Sequence, residues 1–110
     1  MAGWFELSNS SDGQFRFTLK SGSGDTLLTS ELYKAKSSAE NGIASVQTNS
    51  SQEARYERKT AANGKAFFNL KAANHQVIGT SPMHATDAAR DAAIASAMAD
   101  GASTTVKDNT

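Results

Sequence analysis

The sequence predicts an α+β fold: two tandem β-β-β-α-β repeats that form one antiparallel sheet backed by two helices. Three observations carry this reading. The first is an internal echo. Displaced by 51 residues, positions 5–50 align with 56–101 without a gap, and ten of the 46 pairs are identical, where chance pairing at ordinary composition gives roughly three. The second is alternation of apolar and polar residues in both copies, best in Gln14–Lys20, where Phe15, Phe17 and Leu19 share one face. The third is one stretch of helical spacing per copy, Ala39/Ile43/Val46 in the first and Ile94/Ala97/Met98 in the second.

Each element has a local reason. Trp4–Leu7 reads as a first strand, and Ser11-Asp12-Gly13 as a hairpin turn, because Asp-Gly supplies positive φ cheaply. Gln14–Lys20 is the second strand. Ser21-Gly22-Ser23-Gly24-Asp25 is a polar turn, followed by a short strand at Thr26–Thr29. Ser37-Ser38-Ala39-Glu40 has the Ser-x-x-Glu form of a capping box and predicts where the first helix begins. The second copy repeats the plan with an Asn63-Gly64 turn, a Lys65–Lys71 strand, an Ala72–Gln76 turn and a Val77–Thr80 strand. Its helix, about Asp87–Ala99, is Ala-rich, can be capped by Thr86 or Asp87, and can close at Gly101. Residues 53–59 both follow the first helix and open the second copy, and Ser103–Lys107 is strand-prone in the matching place after the second helix.

Size bears on organisation. The chain has 110 residues, so each copy has about fifty, near the lower limit for independent folding. With no cysteine and a single proline, Pro82, there is neither a disulfide framework nor a Pro-rich linker between the copies. The expectation is one domain over 1–110, made of repeat 3–52 and repeat 53–110, joined as a monomeric pseudo-dimer that shares a core.

Composition narrows the function classes. Eleven basic residues balance eleven acidic ones, which disfavours dense phosphate contact. No apolar run reaches the ~18–20 residues of a membrane span, and the start of the chain lacks the basic and apolar regions of a secretory signal. A cytoplasmic protein with no membrane association is expected. His75 and His84 are the only histidines; their spacing fits no metal motif, His75 sits in a turn, and His84 suits a partly packed ring. The serines lie in turns and form no Gly-x-Ser-x-Gly element. Ser21–Asp25 is Gly-rich but joins two strands, so it is not a phosphate loop. Glu6 and Glu57 are equivalent positions on strands that could lie adjacent, yet each has a cation within reach for cross-strand pairing, Arg16 or Lys71. No catalytic residue, cofactor or metal is expected.

If both helices cover one face of the sheet, alternation assigns the other face to Trp4, Glu6, Arg16, Thr18, Lys20, Glu57, Phe67, Asn69 and Lys71. Trp4, Arg16, Lys20, Phe67 and Lys71 are the candidate interaction residues. Aromatics interleaved with cations on a sheet suit either a protein partner or, as an alternative, single-stranded nucleic acid that stacks on the rings.

Gly3-Trp4-Phe5-Glu6-Leu7, Thr29-Ser30-Glu31-Leu32-Tyr33, Glu40–Gln47 and Phe68–Gly79 resemble the YegP-like family, bacterial proteins built from tandem repeats of a small domain of unknown function. The resemblance runs over essentially the whole chain. It implies two three-strands-helix-strand repeats in one sheet, with the last strand of each repeat crossing to the other. It implies no catalytic residues. The copies depart from each other at Phe15/Ala66, Tyr33/His84 and Asn41-Gly42/Ala92-Ala93, which argues against two equivalent sites.

Overall fold

The computed structural model describes residues 3–110. Among them are strands β1 (Trp4–Asn9), β2 (Phe15–Lys20) and β3 (Thr26–Ser30), helix α1 (Lys36–Asn49), a 3-10 turn (Glu53–Arg55), and strands β4 (Tyr56–Thr60), β5 (Ala66–Lys71) and β6 (Val77–Thr80). Helix α2 (Asp87–Asp100) and strand β7 (Val106–Asp108) complete the chain. The strands form one sheet in the order β4-β5-β6-β3-β2-β1-β7. Every pairing is antiparallel except β1 with β7, which is parallel. The sheet is therefore mixed, where an antiparallel one was expected.

The parallel pair follows from the duplication. Shifted by 51 residues, both β1 and β7 fall on β4, so β1 and β7 are built for the same seat, antiparallel to a β2-type strand. β1 occupies it beside β2. β7 crosses from the second repeat and takes the next place out, running the same way as β1, with Phe5, Glu6 and Leu7 in register with Val106, Lys107 and Asp108. β4 likewise leaves α1 and pairs with β5.

The pseudo-twofold axis passes through the join of β3 and β6, where the equivalent residues Thr29 and Thr80 face each other. Equivalent residues near such an axis compete for one volume, and the chain resolves this with glycine. A Cβ on Gly79 would come 2.9 Å from Leu28 Cγ, its own counterpart. A Cβ on Gly101 would overlap the Ser50 side chain, again its counterpart. Gly101 has φ −67°, so it is there for close approach between the helix ends and not for a left-handed cap.

The core lies between the helices and the alternate face of the sheet. Phe5, Phe17, Leu19, Leu28, Phe68 and Leu70 have no exposed surface, and Ala39, Ile43, Val46, Ile94 and Ala97 face them from the helices. The copies reproduce the packing: Phe5 meets Phe17 edge-on at 5.9 Å, and Tyr56 meets Phe68 edge-on at 5.5 Å. Each helix also reaches across the repeat boundary, α1 onto β2, β5 and β6, and α2 onto β2, β3 and β5. The Thr-Ser pairs of the echo have a structural role. Ser30 Oγ accepts from Phe17 N–H at 2.9 Å and donates to the Glu31 carbonyl at 2.8 Å, while Ser81 Oγ does the same for Phe68 N–H and the Pro82 carbonyl, both at 2.9 Å. A buried backbone donor would otherwise be orphaned at each strand end.

Two local expectations fail. The capping box at Ser37–Glu40 does not form, because α1 begins at Lys36 and its cap is Ala35, two residues before Ser37, with no side-chain hydrogen bond. Its counterpart Thr86 does cap α2, accepting from Ala89 N–H at 3.1 Å. The carboxylates Glu6 and Glu57 are not neighbours: they sit on β1 and β4, five strands apart, or about 24 Å at the usual strand spacing.

Candidate functional site

Both helices pack on one face, so the opposite face of the sheet carries the other half of each alternation. Strand register builds a continuous row across it: Lys107, Glu6, Thr18, Thr29, Thr80, Asn69 and Glu57. Thr29 and Thr80 straddle the axis, flanked by the equivalent pairs Thr18/Asn69 and Glu6/Glu57. Apart from Lys107 these side chains are partly buried against one another, and several are fixed by hydrogen bonds. Thr80 Oγ1 donates to Asn69 Oδ1 at 2.7 Å, and Lys71 Nζ donates to Glu57 Oε2 at 2.9 Å. The Lys71 bond, reinforced by Lys59 at 3.5 Å, holds the Glu57 carboxyl below its ordinary range.

The five interaction candidates lie on this face but not in one cluster. Trp4 sits directly opposite Lys20, Arg16 opposite Ser8, and Phe67 opposite Lys59. Lys71 is in register with Val77 on β6. Trp4 and Phe67 are separated by four strand steps, about 19 Å, so they make no single stacking platform. Lys20 and Lys71 are equivalent by the 51-residue shift, as are Arg16 and Phe67. The two halves of the face therefore share a lysine and differ in the other side chain.

Trp4 is also already engaged. Its Nε1–H donates to Glu6 Oε2 at 2.8 Å, and Lys107 Nζ lies 4.3 Å from the ring centroid, a cation–π distance. Sequence reasoning missed Lys107, because its place depends on β7 taking the seat outside β1, a long-range pairing with no local signal. It also left out Thr29 and Thr80, although their identity in the echo pointed to a constrained position.

The histidines lie elsewhere. His75 is exposed in the β5–β6 turn with φ 68°, where the first repeat has Gly24 with φ 92°. His84 is partly buried beside α2, with its backbone bonded in both directions to Ala66, at 2.7 and 2.9 Å. Among the described residues no group of three or more His, Asp or Glu side chains could hold a metal ion, and no helix is long and apolar enough to cross a membrane.

A family model described as Domain of unknown function (DUF1508) matches residues 10–57 and 61–108, two segments themselves displaced by 51 residues. The chain is 69% identical over 110 residues to UPF0339 protein YegP of Escherichia coli strain K12, covering all of both chains. It is 61% identical over 110 residues to a UPF0339 protein of Shewanella oneidensis, again over the full length of both. Two solution NMR structures have the same fold. The E. coli yegP structure, titled a protein of unknown function, superposes with TM-score 0.95 over 100% of this chain and 95% of that one. The S. oneidensis structure superposes with TM-score 0.92 over 98% of this chain and 92% of that one. None of these descriptions names an activity, ligand or partner. The chain belongs to the DUF1508, or YegP-like, family, and carries two tandem copies of its domain.

Proposed function

We propose that this chain is a non-catalytic binding module, acting as a monomer in the cytoplasm, which engages a protein partner through the uncovered sheet face. The observation that supports this reading is the polar row from Lys107 to Glu57 across all seven strands, on the side the helices leave open. Glu6, Glu57, Asn69 and Thr80 are held by hydrogen bonds before binding, so this face loses little side-chain entropy there on contact. The middle of the row is uncharged, from Thr18 to Asn69, and a carboxylate stands on either side at Glu6 and Glu57, which suits a mixed protein surface better than a polyanion.

The nucleic-acid alternative is less well served. Lys107 already lies over the Trp4 ring, Phe67 is four strands away, and the net charge is zero. Titration of a fluorescent single-stranded oligonucleotide distinguishes the two. Tight, steeply salt-dependent binding that is lost in Trp4→Ala or Phe67→Ala would replace the protein-partner reading.

The direct test is affinity capture with the intact protein beside an Arg16→Glu/Lys71→Glu variant, followed by amide chemical-shift mapping with the captured, purified protein. Shifts concentrated at Trp4, Arg16, Phe67 and Lys71, and at least tenfold weaker binding by the variant, are expected. Shifts confined to α1 and α2 would overturn the assignment.

A further inference from the structure

The charges of the chain are sorted by face. Among the described residues, alternation along the strands puts Arg16, Lys20, Lys59, Lys71 and Lys107 on the uncovered side of the sheet, with Glu6 and Glu57 as its carboxylates. Eleven basic and eleven acidic residues cancel over the whole chain, so the helix side and the turns hold six cations against nine carboxylates. A chain with no net charge thus has one cationic face. Glu57 is already held by Lys71 at 2.9 Å and Lys59 at 3.5 Å, and Glu6 by Trp4 at 2.8 Å. Among the described residues Arg16 takes part in no ion pair.

The same face has apolar residues beside the polar row. Leu32 and Met83 are equivalent by the 51-residue shift, and each is 50% exposed. The residues after them, Tyr33 and His84, bridge Phe15 and Ala66 on the helix side. One residue inward, Leu32 therefore stands opposite Arg16 and Met83 opposite Phe67, on the uncovered side. A bond from Glu31 N–H to the Ile78 carbonyl at 3.4 Å extends the β3–β6 pairing toward Leu32 and Val77, and Val77 is in register with Lys71. The result is a row of Lys71, Val77, Leu32 and Arg16, with two cations flanking two aliphatic side chains. In the equivalent row, Lys20 donates to Thr26 Oγ1 at 2.6 Å and Phe67 takes the place of Arg16.

Spacing selects the ligand. Lys71 and Arg16 lie three strand steps apart, about 14 Å. An extended chain rises about 3.4 Å per residue and turns residues i, i+2 and i+4 the same way, so i and i+4 are also about 14 Å apart. A segment of the form acidic-x-apolar-x-acidic, laid across the strands, sets a carboxylate over each cation and an apolar side chain over Val77 and Leu32. The row has no aromatic ring on which a base could stack, so single-stranded nucleic acid fits it poorly.

We infer that the partner of the uncovered face docks through such an extended acidic segment, on the row from Lys71 to Arg16. This rests on the sheet-face reading and specifies its chemistry. The test is an amide chemical-shift titration of the full chain with the capped peptide Glu-Thr-Leu-Thr-Glu, beside Lys-Thr-Leu-Thr-Lys and Glu-Thr-Ser-Thr-Glu. The first peptide should move the amides of Arg16, Leu32, Lys71 and Val77, and the lysine peptide should move none of them. The serine peptide should bind about fivefold more weakly, as expected for losing a half-buried leucine. Arg16→Gln, an exposed substitution, should weaken the first peptide about threefold, the worth of one exposed ion pair. Equal binding of either control peptide, unchanged affinity in Arg16→Gln, or shifts confined to α1 and α2 would each overturn the assignment. So would the same shifts from oligothymidylate, or from raising the protein concentration without peptide, which would assign the row to nucleic acid or to a second copy. Failure of the two control peptides or of Arg16→Gln leaves the sheet-face reading standing, since that reading falls on helix-side shifts with the captured partner.

Discussion

At the scale of single residues, the points where the copies differ are explained by contacts across the axis and by backbone conformation. Ser50 and Gly101 are equivalent and touch, so only one can carry a side chain. Gly101→Ala should destabilise the protein by about 1–3 kcal/mol through overpacking. The exchange Ser50→Gly/Gly101→Ser should recover most of that loss, because the pair still has one side chain for one space. Chemical denaturation of the three variants measures both effects. His75 is the opposite case, a side chain where the first repeat uses glycine. His75→Gly should raise stability by about 0.5–1 kcal/mol, the left-handed strain relieved less the extra freedom of the unfolded chain. An unchanged denaturation midpoint would show that the strain at His75 does no more than offset the freedom glycine adds to the unfolded chain.

At the scale of elements, alternation and turn chemistry made most of the sheet legible. Phe17, Leu19, Phe68 and Leu70 are buried as alternation requires, and Gly13 and Gly64 have φ 82° and 83° in their hairpin turns. Helix stripes were equally readable, since Ala39, Ile43 and Val46 are all buried. The start of α1 was not, because Ser37–Glu40 matches a capping pattern that the backbone does not use. Ala35 stands where α2 has its Thr86 cap, so Ala35→Thr should add about 1 kcal/mol, read as a higher melting temperature. The uncovered face was legible in membership but not in grouping, because strand order, and with it the distance from Trp4 to Phe67, depends on long-range pairing. The hollow lined by Asp25, His84 and Ala92 was hidden for a similar reason: it needs a turn from one repeat and a helix from the other.

The edge strand β4 shows how an element answers to its place. Leu7 on β1 is buried under the helices, whereas its counterpart Arg58 is exposed and pairs with Asp91 at 3.1 Å and Glu53 at 3.6 Å. β1 is covered at its outer edge by β7 and β4 is not, and charge at an open edge discourages further strand pairing. The ion pairs also set an acid limit. Hydrogen bonds from Arg58 and Arg90 lower the Asp91 pKa, one from Lys71 lowers Glu57, and one from Lys36 lowers Asp108. Carboxylates with pKa values below their unfolded ones add stability that is fully present above about pH 4 and is lost as pH falls through the folded values. Melting temperature should therefore be flat from pH 7 to 5 and fall below pH 4, with a shallower fall in high salt, where exposed pairs are screened. A melting temperature that does not fall between pH 4 and pH 2 would show that these pairs do not support the fold.

At the scale of the whole molecule, the asymmetries form one pattern. The glycines at the axis, Gly79 and Gly101, both belong to the second repeat, so each repeat is shaped to its partner and not to itself. Two first repeats brought together in this arrangement would set Leu28 against Leu28 and Ser50 against Ser50 in spaces that accept one side chain. The core likewise draws on both copies, with each helix resting on strands of the other. The central claim is that neither repeat folds without the other, and it is tested most directly by separating them. Sedimentation and thermal melting of residues 3–52 alone should give a chain with no cooperative transition, and adding residues 53–110 should restore one. A monomeric first repeat that melts cooperatively by itself would contradict the account.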